Sequence, residues 1–88
     1  MMSDATRVAV LSVLVTSEEA VERLNTILHA YREYIIGRMG LPYREKQVNI
    51  ICVAVDAPQD VTSALSGKLG RLPGVAVKAV YAPLQENK

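Results

Sequence analysis

The sequence contains one histidine and one cysteine, residue types that often bind metals or carry catalysis. His29 lies with Glu22 and Glu33 on the outward face of a predicted helix, at spacings that could hold a metal ion loosely. Imidazole ligands usually occur in pairs or larger sets, so we interpret this face as a solvated polar surface and expect no metal. Cys52 lies in an apolar stretch, where a free cysteine is typically a small hydrophobic residue.

Motifs for catalysis are missing from the sequence, which has no G-x-S-x-G, no second histidine and no dinucleotide fingerprint. The triplet Ser66-Gly67-Lys68 resembles the end of a phosphate-binding loop. However, the first glycine of G-x-x-x-x-G-K is missing, and the triplet lies inside a predicted helix. We therefore expect no nucleotide site, no cofactor and no enzymatic activity.

Small residues share one face of the second predicted helix, where Ser63, Gly67 and Gly70 lie opposite Val61 and Leu65. A glycine inside a helix costs about 1 kcal/mol relative to alanine. Such a strip allows a partner subunit or a ligand to approach the backbone closely. The alternative interpretation is a weak helix that frays near Gly70.

Basic side chains are the remaining candidates for chemistry. Arg38 and Lys78 project from predicted strands, and a charge that faces a covered sheet surface needs a partner. The partner could be an interfacial carboxylate or an anionic ligand. The third interpretation is that the arginine has no such partner and is solvated. The cations of interest are Arg38, Arg44, Lys46, Lys68 and Lys78. The predicted ligand or interface contacts are Arg38, Ser66, Gly67 and Lys68.

The first half of the chain predicts a strand, a helix and an edge strand. Val8–Val15 is apolar on both alternating faces, which indicates a central strand covered on both sides. Thr16 and Glu19 form a predicted capping box that starts an amphipathic helix over about residues 17–32. The following strand contains two glycines and Pro42, which favour a sheet edge. Its predicted faces are Ile35, Gly37, Met39 and Leu41 on one side and Ile36, Arg38 and Gly40 on the other.

The second half predicts a strand, a helix and a strand. Val48–Val55 is again apolar on both faces and should be central. The segment 56–58 then starts a helix, because proline is tolerated in the first turn. The last strand covers residues 75–82. The predicted buried stripe of the helix is Val61, Ala64, Leu65, Leu69 and Leu72.

The element order is β-α-β-β-α-β, which predicts an α+β, ferredoxin-like fold with two helices on one face of a four-stranded antiparallel sheet. The first and third strands should be central. We expect a single domain over residues 1–88, with an ordered core of about 7–82.

Composition adds one further expectation, self-association. The chain has 88 residues, a net charge of +1, 50% hydrophobic residues and a mean hydropathy of +0.17. A domain of this size buries only about 60% of its unfolded surface. Because the helices cover one sheet face, we expect the other face to stack on another subunit, in a dimer or a tetramer. The near-neutral charge argues against direct DNA binding. The sequence predicts no membrane segment and no signal peptide, so we expect a cytoplasmic protein.

Three segments resemble a known family, the regulators of the iron-only hydrogenase system. They are Arg38–Pro42, Ala64–Gly70 and Gly74–Lys78, and the similarity extends over about residues 7–81. The resemblance implies an ACT-like domain, similar in fold to the C-terminal domain of nickel-responsive regulators. The histidine cluster of those regulators is missing here, so nickel sensing is not expected. An N-terminal ribbon-helix-helix domain is not expected either.

The resemblance favours a regulatory module that senses a ligand or binds a protein. In ACT-like domains small ligands lie at subunit interfaces, which implies an anionic or amino-acid ligand there. One alternative is a transcription factor that binds DNA with or through a partner chain. Another is a small dimeric ferredoxin-like enzyme, which the absence of a paired acid and base disfavours.

Overall fold

The computed structural model describes residues 5–84, and the ends of the predicted 1–88 domain lie outside them. A single antiparallel sheet has the strand order β2-β3-β1-β4, so the first and third strands are central, as predicted. This arrangement confirms the ferredoxin-like α+β fold. The elements are β1 (Arg7–Val15), α1 (Glu18–Ala30), β2 (Ile35–Tyr43), β3 (Val48–Ala57), α2 (Gln59–Gly70) and β4 (Val75–Tyr81), with short 3-10 turns at Arg32–Tyr34 and Arg44–Lys46.

The hydrophobic core lies between the two helices and one face of the sheet. Along β1, buried and exposed residues alternate, because successive side chains of a strand point to opposite faces. The helices contribute three buried residues from α1 and two leucines from α2. The main core residues are Ala9, Leu11, Val13 and Val15 of β1, Ile51, Val53 and Val55 of β3, Ala20, Leu24 and Leu28 of α1, Leu65 and Leu69 of α2, and Leu72.

The start of α1 differs from the prediction. Its N-cap is Ser17, whose side-chain oxygen accepts a hydrogen bond from the backbone N–H of Ala20 at 3.3 Å. Thr16 instead donates its backbone N–H and its hydroxyl to the carbonyl oxygen of Gly74, at 2.9 and 3.3 Å. The predicted capping box of Thr16 and Glu19 is therefore wrong. The threonine is used to join the end of β1 to the start of β4.

Strand β2 lies at the sheet edge, as predicted, but a β-bulge changes its faces. Ile35 pairs with Val55, Gly37 pairs with Ala54, and Ile36 is the extra residue between them. Simple alternation predicted that Ile35 shares a face with Met39. Since its partner Val55 faces the helices, Ile35 instead lies on the helix side of the sheet. The bulge is the physical reason for the difference.

The buried stripe of α2 also differs from the prediction. Leu65, Leu69 and, just after the helix, Leu72 are buried as expected, but Ala64 is exposed and Val61 is only half-buried. The fourth buried position is Thr62, which is 1% exposed. Its spacing of three from Leu65 places it on the core face of the helix.

Replacing Thr62 with valine should stabilise the protein. The Thr62 hydroxyl is buried and has no hydrogen-bond partner among residues 5–84. Thr62→Val removes this unsatisfied group at nearly constant volume, and we expect a gain of about 1 kcal/mol in the free energy of unfolding. For a domain of this size that gain raises Tm by about 4–8 °C.

Thr26→Val is the matched control, measured by thermal and urea unfolding. Thr26 is exposed on α1, and its hydroxyl donates to the backbone oxygen of Glu22 at 3.1 Å. We expect no gain there. A Thr62→Val protein that is less stable than the wild type would contradict the assignment of an unsatisfied hydroxyl.

Candidate functional site

The sheet face that points away from the helices carries most of the exposed large hydrophobic residues of the described chain. We call it the open face. Seven of the nine large hydrophobic residues that are exposed in the structure lie on it, and the other two are Ile36 and Leu84. The seven are Val8, Val10 and Leu14 of β1, Met39, Leu41 and Tyr43 of β2, and Val80 of β4.

Strand register arranges the open face in cross-strand rows. One row consists of Leu41, Ile50, Leu14 and Ala76, and it is apolar throughout. The next row consists of Met39, Cys52, Ser12 and Lys78. Lys78 therefore lies on the open face, at the β4 edge of the sheet. Cys52, a free cysteine, is half-buried near the middle of the open face.

Arg38 lies on the opposite, helix-covered side of the sheet, because its strand partner is the buried Val53. Its side chain is exposed, and its Nη2 donates a hydrogen bond to Oδ1 of Asn25 on α1 at 2.9 Å. Among residues 5–84, its hydrogen-bond partner is thus a neutral amide. Beside it, a cleft of about 310 Å³ separates α1 from β2.

The predicted contacts on α2 lie apart from Arg38. Ser66 is half-buried, while Gly67 and Lys68 are exposed. The Nζ of Lys68 lies 5.1 Å from the centre of the Tyr31 ring, in a cation–π contact at the end of α1. Arg38 and Lys68 therefore contact α1 at two different places, the middle and the C-terminal end.

A second groove, of about 620 Å³, lies where the turn between β2 and β3 approaches the start of α1. The turn is fixed by Gln47, which adopts a left-handed conformation with φ of 54°. Within it the Tyr43 hydroxyl donates to Oε1 of Glu45 at 2.6 Å, and this hydrogen bond to the carboxylate raises the pKa of Tyr43. Of the cations singled out in the sequence, Arg44 lines this groove. The lining is Thr16, Glu18, Pro42, Tyr43, Arg44, Gln47, Val48 and Asn49.

His29 is exposed on α1. Within the part of the chain that the structure describes, no three His, Cys, Asp or Glu side chains lie close enough to hold a metal ion. Neither of the two helices in residues 5–84 is long and apolar enough to span a bilayer.

Fold and surface together define the class of protein: a small ferredoxin-like module with helices on one sheet face and an apolar opposite face. The sequence matches the TM1266-like family over residues 7–79, and the chain belongs to that family. The family is described as "Iron-only hydrogenase system regulator, putative". The resemblance seen in the sequence is thereby confirmed.

Solved structures agree with this assignment. The uncharacterized protein TM1266 from Thermotoga maritima is 38% identical, with a TM-score of 0.85 over 89% of this chain and 99% of its own. The C-terminal domain of the Mycobacterium tuberculosis MgtC protein is 12% identical, with a TM-score of 0.71 over 93% and 94% of the two chains. A formyltetrahydrofolate deformylase from Pseudomonas putida is 18% identical, with a TM-score of 0.62 over 86% of this chain and 29% of its own. The last two share the fold alone. A comparison with curated proteins gives no match.

Proposed function

We propose that the protein is a regulatory module of the iron-only hydrogenase system that works as a dimer, formed by stacking the open faces of two copies. The observation that carries the proposal is the segregation of seven exposed large hydrophobic residues onto one sheet face. Contiguous apolar patches of this kind mark interaction surfaces on soluble proteins.

The size of the open face supports a dimer. Four strands spaced about 4.8 Å apart and about eight residues long span roughly 500 Å² on each copy. Two copies together would therefore bury about 1,000 Å² or more, which is near the range of roughly 1,200–2,000 Å² for stable specific interfaces. This is close to the lower limit of that range, so the dimer should dissociate at low concentration.

A second copy fits the chemistry of the open face. On the open face, the strands carry one acidic and one basic residue, Asp56 beside Val8 and Lys78 beside Ser12, so two copies meet without a net repulsive charge. A twofold axis lets the same patch serve both partners, as in most soluble homodimers. A highly charged partner would leave this apolar surface unmatched.

Regulation follows if a ligand binds one assembly state more tightly than the other, because it then shifts the equilibrium between the two states. The contacts proposed for such a ligand are Arg38, Ser66, Gly67 and Lys68. Arg38 and Lys68 both contact α1, so a ligand at either place would act on the same helix.

Light scattering coupled to size-exclusion chromatography tests the proposal. We expect a mass of twice 9.6 kDa at micromolar to millimolar protein concentrations, with a decrease toward 9.6 kDa on dilution. A mass of 9.6 kDa throughout this range would overturn the proposal.

A further inference from the structure

The cleft between α1 and the edge strand β2 lies on the helix side of the sheet, away from the open face. It has a volume of about 310 Å³, at the lower end of the range for small-molecule pockets. Its floor is apolar, and its rim is polar. The lining residues are Asn25, Leu28, His29, Arg32, Ile35 and Arg38.

The rim concentrates positive charge without a compensating carboxylate. Two of the six lining residues are arginines, and none is acidic. Glu22, one turn before Asn25 on α1, lies outside the lining. An anion that enters the cleft would therefore meet no fixed negative charge on its walls.

Both guanidinium groups are held in place by neutral acceptors. Arg38 donates to Oδ1 of Asn25 at 2.9 Å, and Arg32 donates from Nη1 to the backbone oxygen of His29 at 2.9 Å. A guanidinium has five N–H donors, so most donors of each arginine remain available to a ligand. Fixed, partly unused arginine donors are suited to bidentate recognition of an oxyanion.

We propose that this cleft binds the phosphate group of a small organic phosphate monoester. The two arginines approach from different elements, a turn after α1 and a strand, and their charges match those of a phosphate dianion. Leu28 is buried and Ile35 half-buried beneath them, which gives the organic part an apolar surface. This site names the class of ligand for the proposed sensing role. Its regulatory meaning rests on that proposed function.

The experiment is an NMR titration of the 15N-labelled protein at constant ionic strength, with phenyl phosphate and with inorganic phosphate as probes. We expect saturable shifts at residues 25–38 that reach half-saturation below about 10 mM phenyl phosphate. Inorganic phosphate should bind more weakly, because it cannot use the apolar floor.

Variants decide whether the two arginines carry the binding. Arg38→Gln and Arg32→Gln should each weaken phenyl phosphate binding about tenfold or more, since each removes charge-assisted hydrogen bonds. Arg38→Lys keeps the charge but loses the planar fork, and it should fall between the wild type and Arg38→Gln. The matched control is Arg23→Gln, an exposed arginine of α1 outside the lining, which should bind as the wild type does.

Equal weakening in Arg23→Gln, or shifts that do not saturate, would overturn the proposal, because either result indicates nonspecific attraction. The failure of this proposal is distinguishable from failure of the dimer. Loss of saturable binding with an intact dimer overturns the phosphate site alone. Saturable binding by a protein that stays monomeric overturns the dimer alone.

Discussion

Leu14→Glu should convert the protein to a monomer while leaving it folded. Leu14 lies in the apolar row of the open face, between Ile50 and Ala76, and is 48% exposed in the single chain. In the monomer a glutamate at this position reaches water, so the free energy of unfolding should change by about 1 kcal/mol or less. In a stacked dimer the carboxylate would be buried against apolar side chains, which costs several kcal/mol. We expect the dimer dissociation constant to rise about a hundredfold or more.

Leu84→Glu is the control for this change. Leu84 is also a large apolar residue, 76% exposed, but it lies beyond the end of β4. The same change in charge and hydrophobicity there should leave the mass unaltered. Light scattering and sedimentation measure the mass, and circular dichroism verifies folding. A folded Leu14→Glu protein that keeps the wild-type mass would show that the open face is not the interface.

The sequence predicted the order and type of every main element, because its patterns are strong. Two apolar strands, an amphipathic helix and one edge strand with two glycines leave few alternatives to the β-α-β-β-α-β arrangement. The sequence did not distinguish the two faces of β1. Leu11 and Val13 on one face and Val10 and Leu14 on the other are equally apolar, and only the positions of the helices decide which pair is buried.

The sequence predictions were wrong at three local details, in each case because contacts with distant parts of the chain override the local pattern. The bulge at Ile36 moves Ile35 to the helix side, and strict alternation contains no signal for an inserted residue. Thr62 was omitted from the buried stripe because its residue type is polar, although its spacing fits. Thr16 has the chemistry of an N-cap, but its hydroxyl bonds to a carbonyl 58 residues away.

Of the two candidate sites, one was predicted from the sequence and the other was not. The open face was predicted in outline from two strands with apolar residues on both sides. The cleft was not, because it joins Asn25 and His29 of α1 and Arg32 of the following turn to Arg38 on a separate strand. The sequence indicated a polar face around His29. The residues opposite this face depend on how β2 packs beside α1, which cannot be predicted from a single sequence.

Gly74→Ala should give the largest loss of stability of any single methyl addition to the glycines of this chain. Gly74 has φ of +79°, a left-handed conformation that costs other residues about 1–2 kcal/mol. An added Cβ would also lie 3.0 Å from the Ser17 Cβ and 3.2 Å from the Thr16 Oγ1. Relief of that contact would disturb the N-cap of α1 and the hydrogen bonds from Thr16 to the Gly74 oxygen. We expect a loss of about 2–3 kcal/mol and a decrease in Tm of about 10 °C or more.

Gly67→Ala is the matched control, because Gly67 lies inside α2 and its added Cβ would meet only the Arg71 Nη2 at 3.8 Å. Alanine is the better helix former, so this variant should be more stable than the wild type by up to about 1 kcal/mol. Urea and thermal unfolding measure both variants. If Gly74→Ala unfolds with the same Tm as the wild type, the turn before β4 tolerates a side chain, and the contacts among Thr16, Ser17 and Gly74 do not constrain it. If Gly67→Ala is stable but loses the wild-type mass, then α2, and not the open face alone, contributes to the contact between copies.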